Sequence, residues 1–529
     1  MSITSLVFVL FVFASLIVYY VVPKKFQWVV LLASSLVFYV TSSTWGIIFV
    51  IITSLTVYGS TLWMDSIAKK QKAYIKENKE SLSKEEKSKI KADAKNKRKR
   101  IMIATLVLNF GILCVFKYSH FALEQVNGLA SLFGLRTVTD NINLPLVLGI
   151  SFYTFQSMGY IVEAYWETVE IQRNYLKVLL FVSFFPQVTQ GPISNYAQLS
   201  GELFKEHTFT YENYSRGFQR MIWGFFKKMV IANYLNIWVY DVFDNYANYI
   251  GITCFLAMIG YCIELYADFS GYMDIMCGLC EMFGIRLAEN FVRPYFSKSI
   301  AEYWRRWHIT LGEWFKNYVY YPIGISKWNR NLGKKLSSRF GKAVGKNVPA
   351  TIALIIVWMT TGLWHGASWS YIIWGLLNGV FIIVSIWMEP VYEKVNSKLH
   401  VKRHRKLWKA FQVSRTFLIL TFIKVLPEVG TLSDGVGLIT RALTNHVMPT
   451  SFKSVFPAVS SKLDFAVTMF SVVLLFISSV LQRKKPIRDY FNKLPFILRA
   501  LMLIFLLFLI VVFGVSVGGG IGGFMYAQF

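Results

Sequence analysis

Residues 349–387 read PATIALIIVWMTTGLWHGASWSYIIWGLLNGVFIIVSIW, two apolar runs, Pro349 to Trp364 and Tyr371 to Trp387, joined through His365, Gly366, Ala367 and Ser368. A helix of about 20 apolar residues crosses a hydrocarbon core about 30 Å thick. Each run is near the length of one crossing. Burying an ionisable side chain at such a joint costs free energy unless it is paired or used.

The same pattern extends outward in both directions. Further apolar runs lie at Ile3 to Val22, Gln27 to Val40, Thr44 to Leu62, Ile101 to Phe116, Leu144 to Tyr160, Leu176 to Val188, Phe218 to Val239, Ile250 to Tyr266, Phe411 to Ile423, Phe465 to Leu481 and Phe496 to Val515. Several are too short or broken to cross unaided. The expected architecture is therefore an all-α integral membrane protein with about eleven transmembrane helices, the rest being re-entrant or in-plane helices buried against their neighbours. Composition agrees: of 529 residues, 55% are hydrophobic and only 16% charged, far from a soluble chain of this length.

A net charge of +27 would suit nucleic acid, but here it is divided among short loops between apolar runs. Residues 66–100 hold fourteen Lys/Arg against five acids, Ser326 to Asn347 holds seven and no acid, and Glu393 to Lys409 holds seven with one acid. These loops are expected in the cytoplasm of a bacterium, with the protein in its plasma membrane and no nucleic-acid partner. Counting crossings from them places the N-terminus and the C-terminus outside. The first run lacks a basic start and reads as a span, not a cleaved leader.

Residues 66–100 are the one low-complexity stretch and read as a solvated helical hairpin or arm that sets topology and meets anionic lipid head groups. Docking of an acidic carrier protein is the sharper alternative. The expected division is a single membrane domain over 1–529, with N-terminal helices at 1–64, the basic insert at 65–100, a core at 101–388 and C-terminal helices at 389–529. The five cysteines lie in or beside apolar runs, so no disulfide framework is expected. Cys277 and Cys280 form a C-x-x-C without a second pair at zinc spacing, and no metal site is expected.

Two histidines stand in the apolar body, His308 in Trp304-Arg305-Arg306-Trp307-His308 and His365. His365 follows the basic loop that ends near Asn347 by about sixteen residues, which at 1.5 Å per residue is about 24 Å into the membrane. Its small neighbours Gly366, Ala367 and Ser368 permit close approach of a ligand or of backbone. An imidazole with a pKa near 6.5 is suited to taking a proton from a hydroxyl nucleophile.

Residues 268–324, DFSGYMDIMCGLCEMFGIRLAENFVRPYFSKSIAEYWRRWHITLGEWFKNYVYYPIG, are unusually polar and punctuated by Gly and Pro for a membrane chain. With LGISFYTFQSMGYIVEAYW at 148–166, FPQVTQGPISNY at 185–196, FFKKMVIANYL at 225–235, TGLWHGASWSYIIWGLLNG at 361–379 and the terminal FMYAQF, this stretch closely resembles the membrane-bound O-acyltransferases (MBOAT), in particular the bacterial branch that contains the alginate O-acetyltransferase membrane subunit. The resemblance implies a catalytic core of helices and re-entrant pieces around a central tunnel. It matches His365 to the family's essential histidine and His308 to its second functional one. It places Arg305 and Arg306 where they suit coenzyme A phosphates, although clamping helix ends would serve as well.

The implied activity is O-acyl transfer, with acetyl-CoA as donor and no permanently bound cofactor. The implied acceptor is an envelope polysaccharide or peptidoglycan, reached directly or through an extracytoplasmic acetyltransferase partner. D-alanyl transfer to teichoic acid from a carrier protein is one alternative. Export of a lipid-linked glycan is another, disfavoured because no internal repeat is visible. The sequence also departs from the family pattern. An Arg-Asp pair is expected before Tyr318, where Lys316 and Asn317 stand; Glu163 and Trp166 replace a usual Asp and a basic residue; and Ile423-Lys424-Val425-Leu426-Pro427 replaces an aromatic-Arg-Ala element.

Overall fold

A computed structural model describes the chain except for residues 136, 138–143, 145–146, 399, 401–404, 460, 484 and 516–529. The terminal FMYAQF, the middle of the basic stretch at 393–409 and the expected position of the C-terminus lie outside the described residues. The described chain is helical, and its only β pairing is one antiparallel bridge between Phe291 and Trp307.

Eight helices among the described residues are long and apolar enough to cross a membrane, and the protein is a multi-pass membrane protein. Leu6–Val21 is apolar but shorter. Phe496–Phe513 shows most plainly what surrounds them: in its most apolar window only 6% of residues are buried inside the protein, so its Leu, Ile and Phe side chains must face lipid. The run read at Leu176 to Val188 breaks at Phe184, because Pro186 opens a new short helix, Phe185–Val188. The run at Phe218 to Val239 is helical through Tyr211–Phe226, a π-helical turn at Lys227–Ala232 and Asn233–Asp244.

The chain divides into two compact units, Met1–Ser215 with Leu279–Ala288, and Arg216–Gly278 with Glu289–Phe529. In the first unit, Ile47–Glu77 and Lys84–Leu132 pair along small polar side chains: Ser60 and Thr105 meet at 2.6 Å, and Asn109 Nδ2 donates to Thr56 Oγ1 at 3.1 Å. Hydrogen bonds of this kind, together with close packing, hold helices together where lipid removes the hydrophobic drive. Both helices run on without a break into the basic stretch at 66–100, which is therefore a helical hairpin. At its turn, Ser83 Oγ accepts from Glu86 N and Glu86 Oε2 accepts from Ser83 N, a reciprocal cap. The stems are tied at their base, where Glu167 pairs with Lys72 at 2.6 Å and Arg98 at 2.5 Å.

The second unit carries its charges inside. Arg220 forks onto Glu289, at 2.8 and 2.6 Å, and donates to Asp274 at 2.8 Å; Asp274 also takes Lys227 at 2.7 Å; Lys228 pairs with Asp268. Arg220, Lys227 and Lys228 are all buried. A buried charge is tolerated only when matched this closely, so the ladder fixes Tyr211–Phe226 and its π turn against Gly251–Met282 in one register.

Candidate active site

His365 is the last residue of Lys342–His365, and Ser368 caps the following helix, Trp369–Trp387, by accepting from Tyr371 N. The two helices match the two apolar runs read from the sequence and pack against each other as a hairpin. They meet where side chains are absent: a Cβ on Gly362 would lie 2.4 Å from the Tyr371 carbonyl oxygen. A Cβ on Gly366 would lie 2.1 Å from the Tyr371 ring, so the glycine after His365 makes room for that ring. The His365 imidazole is 4% exposed, its ring centroid 4.9 Å from both Trp364 and Trp374 and nearly parallel to Tyr371 at 6.5 Å.

His308 arrives from a different construction. Residues 290–292 pair antiparallel with 306–309, with Val292 N donating to Arg306 O at 2.9 Å and Ile309 N to Asn290 O at 3.1 Å. Asn290 Oδ1 also accepts from Thr310 N and Thr310 Oγ1, and stands 3.4 Å from His308 Nδ1. His308 itself has a left-handed backbone, φ 47, a conformation uncommon outside Gly, Asn and Asp. Its buried ring packs edge-on to Phe269 at 4.9 Å and reaches Trp364 at 5.9 Å. The structure thus brings together the two histidines that the sequence separates by fifty-seven positions: both pack against the Trp364 indole.

His365 lines a cavity of about 30 Å³ with Trp304, Trp307, Tyr371, Lys424 and Glu428 among its walls. That is space on the scale of one water molecule. Lys424 Nζ lies 3.8 Å above the Trp307 ring centroid and donates to the Tyr295 hydroxyl at 3.2 Å. Glu428 accepts from the Tyr371 hydroxyl at 3.1 Å and from the Tyr240 hydroxyl at 3.2 Å. Trp304 is fixed by its indole N–H donating to Asn378 at 3.0 Å. An imidazole, a lysine and a glutamate therefore share one aromatic box.

The arginines stand elsewhere. Arg305 caps the end of Ile300–Trp304 and is exposed, while Arg306 Nη2 pairs with Glu302 at 2.6 Å. Neither lines the His365 cavity. Lys424, Glu428 and Tyr371 were not singled out as site residues in the sequence. Their signal was a Lys and a Glu four apart at the end of an otherwise apolar run, with Pro427 between them. Among the described residues no three His, Cys, Asp or Glu side chains group as metal ligands.

The MBOAT (membrane-bound O-acyltransferase) family model matches residues 170–425, which contain both histidines and Lys424. This stretch is an MBOAT domain. Related proteins agree with that assignment. A probable alginate O-acetylase AlgI of Pseudomonas syringae pv. tomato is 36% identical over 286 residues, 54% of this chain and 51% of that protein. A peptidoglycan O-acetyltransferase of Helicobacter pylori is 32% identical over 356 residues, 62% of each chain. A teichoic acid D-alanyltransferase of Bacillus subtilis is 29% identical over 248 residues, 45% of this chain and 59% of that protein. The chain spans between about half and three fifths of the length of these MBOAT relatives.

Proposed function

We propose that the protein is an O-acyltransferase that moves acetyl from acetyl-CoA to hydroxyls of an envelope polysaccharide or peptidoglycan. The observation that carries this reading is His365 at the end of a membrane helix, in the same cavity as a buried lysine, inside an MBOAT domain. The named activities of the AlgI and H. pylori relatives point to acetyl as the group and to glycan hydroxyls as acceptors.

In this mechanism His365 takes the proton of the acceptor hydroxyl as its oxygen attacks the thioester carbonyl. The C–S bond then breaks, the ester forms, and coenzyme A leaves as a thiolate that takes the proton back from the His365 imidazolium. Negative charge gathers on the carbonyl oxygen in between, and the Lys424 ammonium supplies positive charge to the same cavity, where low dielectric strengthens it. Glu428, through the Tyr371 hydroxyl, holds the aromatic wall beside the base. His308 supports Trp364, which it meets edge-on. Arg305 and Arg306 serve the phosphates of the donor at the rim. An extracytoplasmic acetyltransferase partner and a bacterial plasma-membrane location, with basic loops inside, complete the reading.

The D-alanyl reading is separated from it by the donor. Membranes that hold the protein are supplied either with labelled acetyl-CoA or with D-alanine charged on a carrier protein. Label on envelope polymer from acetyl-CoA alone supports the proposal; label from the charged carrier alone replaces it. Label from neither, with intact protein and its partner present, turns the reading toward transport.

A further inference from the structure

The second unit contains a much larger cavity than the one at His365, and the reaction does not use it. Its volume is about 310 Å³, and its walls include Ile263 and Tyr266 of Gly251–Met282, Phe417 of Lys406–Val425, Phe476 of Lys462–Leu481, and Tyr295 and Arg293 of the connecting segment. It shares no lining residue with the His365 cavity. Volumes of this order accommodate a small ligand or part of a lipid.

Among the described residues, Arg293 is the one charged side chain in that lining. Its backbone is left-handed, φ 51, its guanidinium stacks on Phe296 at 4.7 Å, and its Nε is buried with no hydrogen-bond partner among the described residues. Burial, and then the like charges of Arg306 and Arg483, pull its pKa below the usual arginine range. Arg306 and Arg483 are thus near enough for their charges to act on Arg293, and Arg306 is already paired with Glu302. A half-buried guanidinium whose Nε is buried and unpartnered among the described residues suits a phosphate.

We propose that this cleft seats an anionic phospholipid, with its phosphate held by Arg293 and Arg483 and an acyl chain lying along the apolar walls. Hydrocarbon walls favour the lipid over coenzyme A, whose polar adenosine and pantetheine amides would find few partners there. Arg483 follows Lys462–Leu481 at the start of a basic stretch, Arg483 to Lys493, and basic stretches between apolar runs face the cytoplasm by the positive-inside rule. The lipid therefore belongs to the inner leaflet, which is rich in anionic head groups. Tyr295 forms a wall of the cleft, and its hydroxyl both donates to the Cys262 carbonyl at 2.5 Å and accepts from Lys424. A bound chain braces the residue that holds Lys424, a consequence that rests on the proposed function, whereas the binding itself does not.

The test uses the full chain in detergent, with unfolding temperature read by tryptophan fluorescence against added dioleoyl-phosphatidylglycerol, dioleoyl-phosphatidylcholine or coenzyme A. Phosphatidylglycerol is expected to raise the wild-type midpoint by several degrees, and phosphatidylcholine by much less. Arg293→Asn, chosen because Asn accepts a left-handed backbone, and Arg483→Gln should each lose most of that shift. Val413→Trp, which fills the cleft from Lys406–Val425, should lose it without changing charge. Equal shifts from the two lipids, an undiminished phosphatidylglycerol shift in Arg483→Gln and Val413→Trp, or a shift from coenzyme A alone that Arg293→Asn removes, would each overturn the proposal.

Discussion

The Tyr371 hydroxyl donates to Glu428 at 3.1 Å while its ring lies nearly parallel to the His365 imidazole, so one tyrosine connects the histidine to the acid of the same cavity. Tyr371→Phe removes the hydrogen bond and keeps the ring. A hydrogen bond to a charged group is worth about 1.5–3 kcal/mol, which corresponds to a loss of about ten- to a hundredfold in transfer rate. Glu428→Gln should fall in the same range. Transfer by Tyr371→Phe at the wild-type rate, at matched protein level, would remove this link from the account.

Among the described residues, Lys424 is the one lysine or arginine in the lining of the His365 cavity. Lys424→Met keeps the length and the contact with Trp307 but removes the charge, and is expected to cost about a hundredfold or more in rate. Lys424→Arg should recover part of it. The measurement is single-turnover acetyl transfer; equal activity of the Met and Lys forms would mean that the cation has no part in the chemistry.

His308 is a residue whose backbone matters as much as its ring. His308→Asn suits the left-handed φ, whereas His308→Ala does not, so the Ala form should unfold at lower temperature than the Asn form. Both should lose most activity if the ring supports Trp364. Unfolding midpoints and transfer rates measured on the two proteins together separate strain from chemistry, and full activity in His308→Asn would relieve His308 of its role.

At the base of the basic hairpin, the hydrogen bond from Lys72, with Arg98 beside it, holds the Glu167 carboxyl below the usual glutamate range. A depressed acid stabilises above its unfolded pKa of about 4.3 and loses that contribution as pH falls through the folded value. The tie should therefore be intact at neutral pH and released in acid. Being partly exposed, it is worth under about 1 kcal/mol, so its effect is local. Glu167→Gln should speed tryptic cleavage within residues 69–100 severalfold at pH 7 without moving the global unfolding midpoint; an unchanged cleavage rate would count against it.

The membrane helices around His365 were legible because hydropathy and helix length act locally: Lys342–His365 extends the first run seven residues earlier, into the basic loop, and Trp369–Trp387 begins two residues before the second. What joins them to chemistry was not local. Lys424 lies 59 positions beyond His365, and nothing in a single sequence says that its ammonium enters that cavity. The run at Phe218 to Val239 showed Lys227 and Lys228 but not their partners, Asp274 and Asp268, which sit more than one helix further on. Arg305 and Arg306 had the right chemistry for phosphates by type, and only the fold reveals that Arg306 already holds Glu302.

The central claim is that His365 moves the proton of an acyl transfer, and it is tested most directly by transfer of radiolabelled acetyl from acetyl-CoA to envelope polymer in membranes that hold wild type or His365→Ala at equal level. The account predicts label with wild type and its loss by a factor of about a hundred or more with His365→Ala. Full labelling by His365→Ala would contradict it.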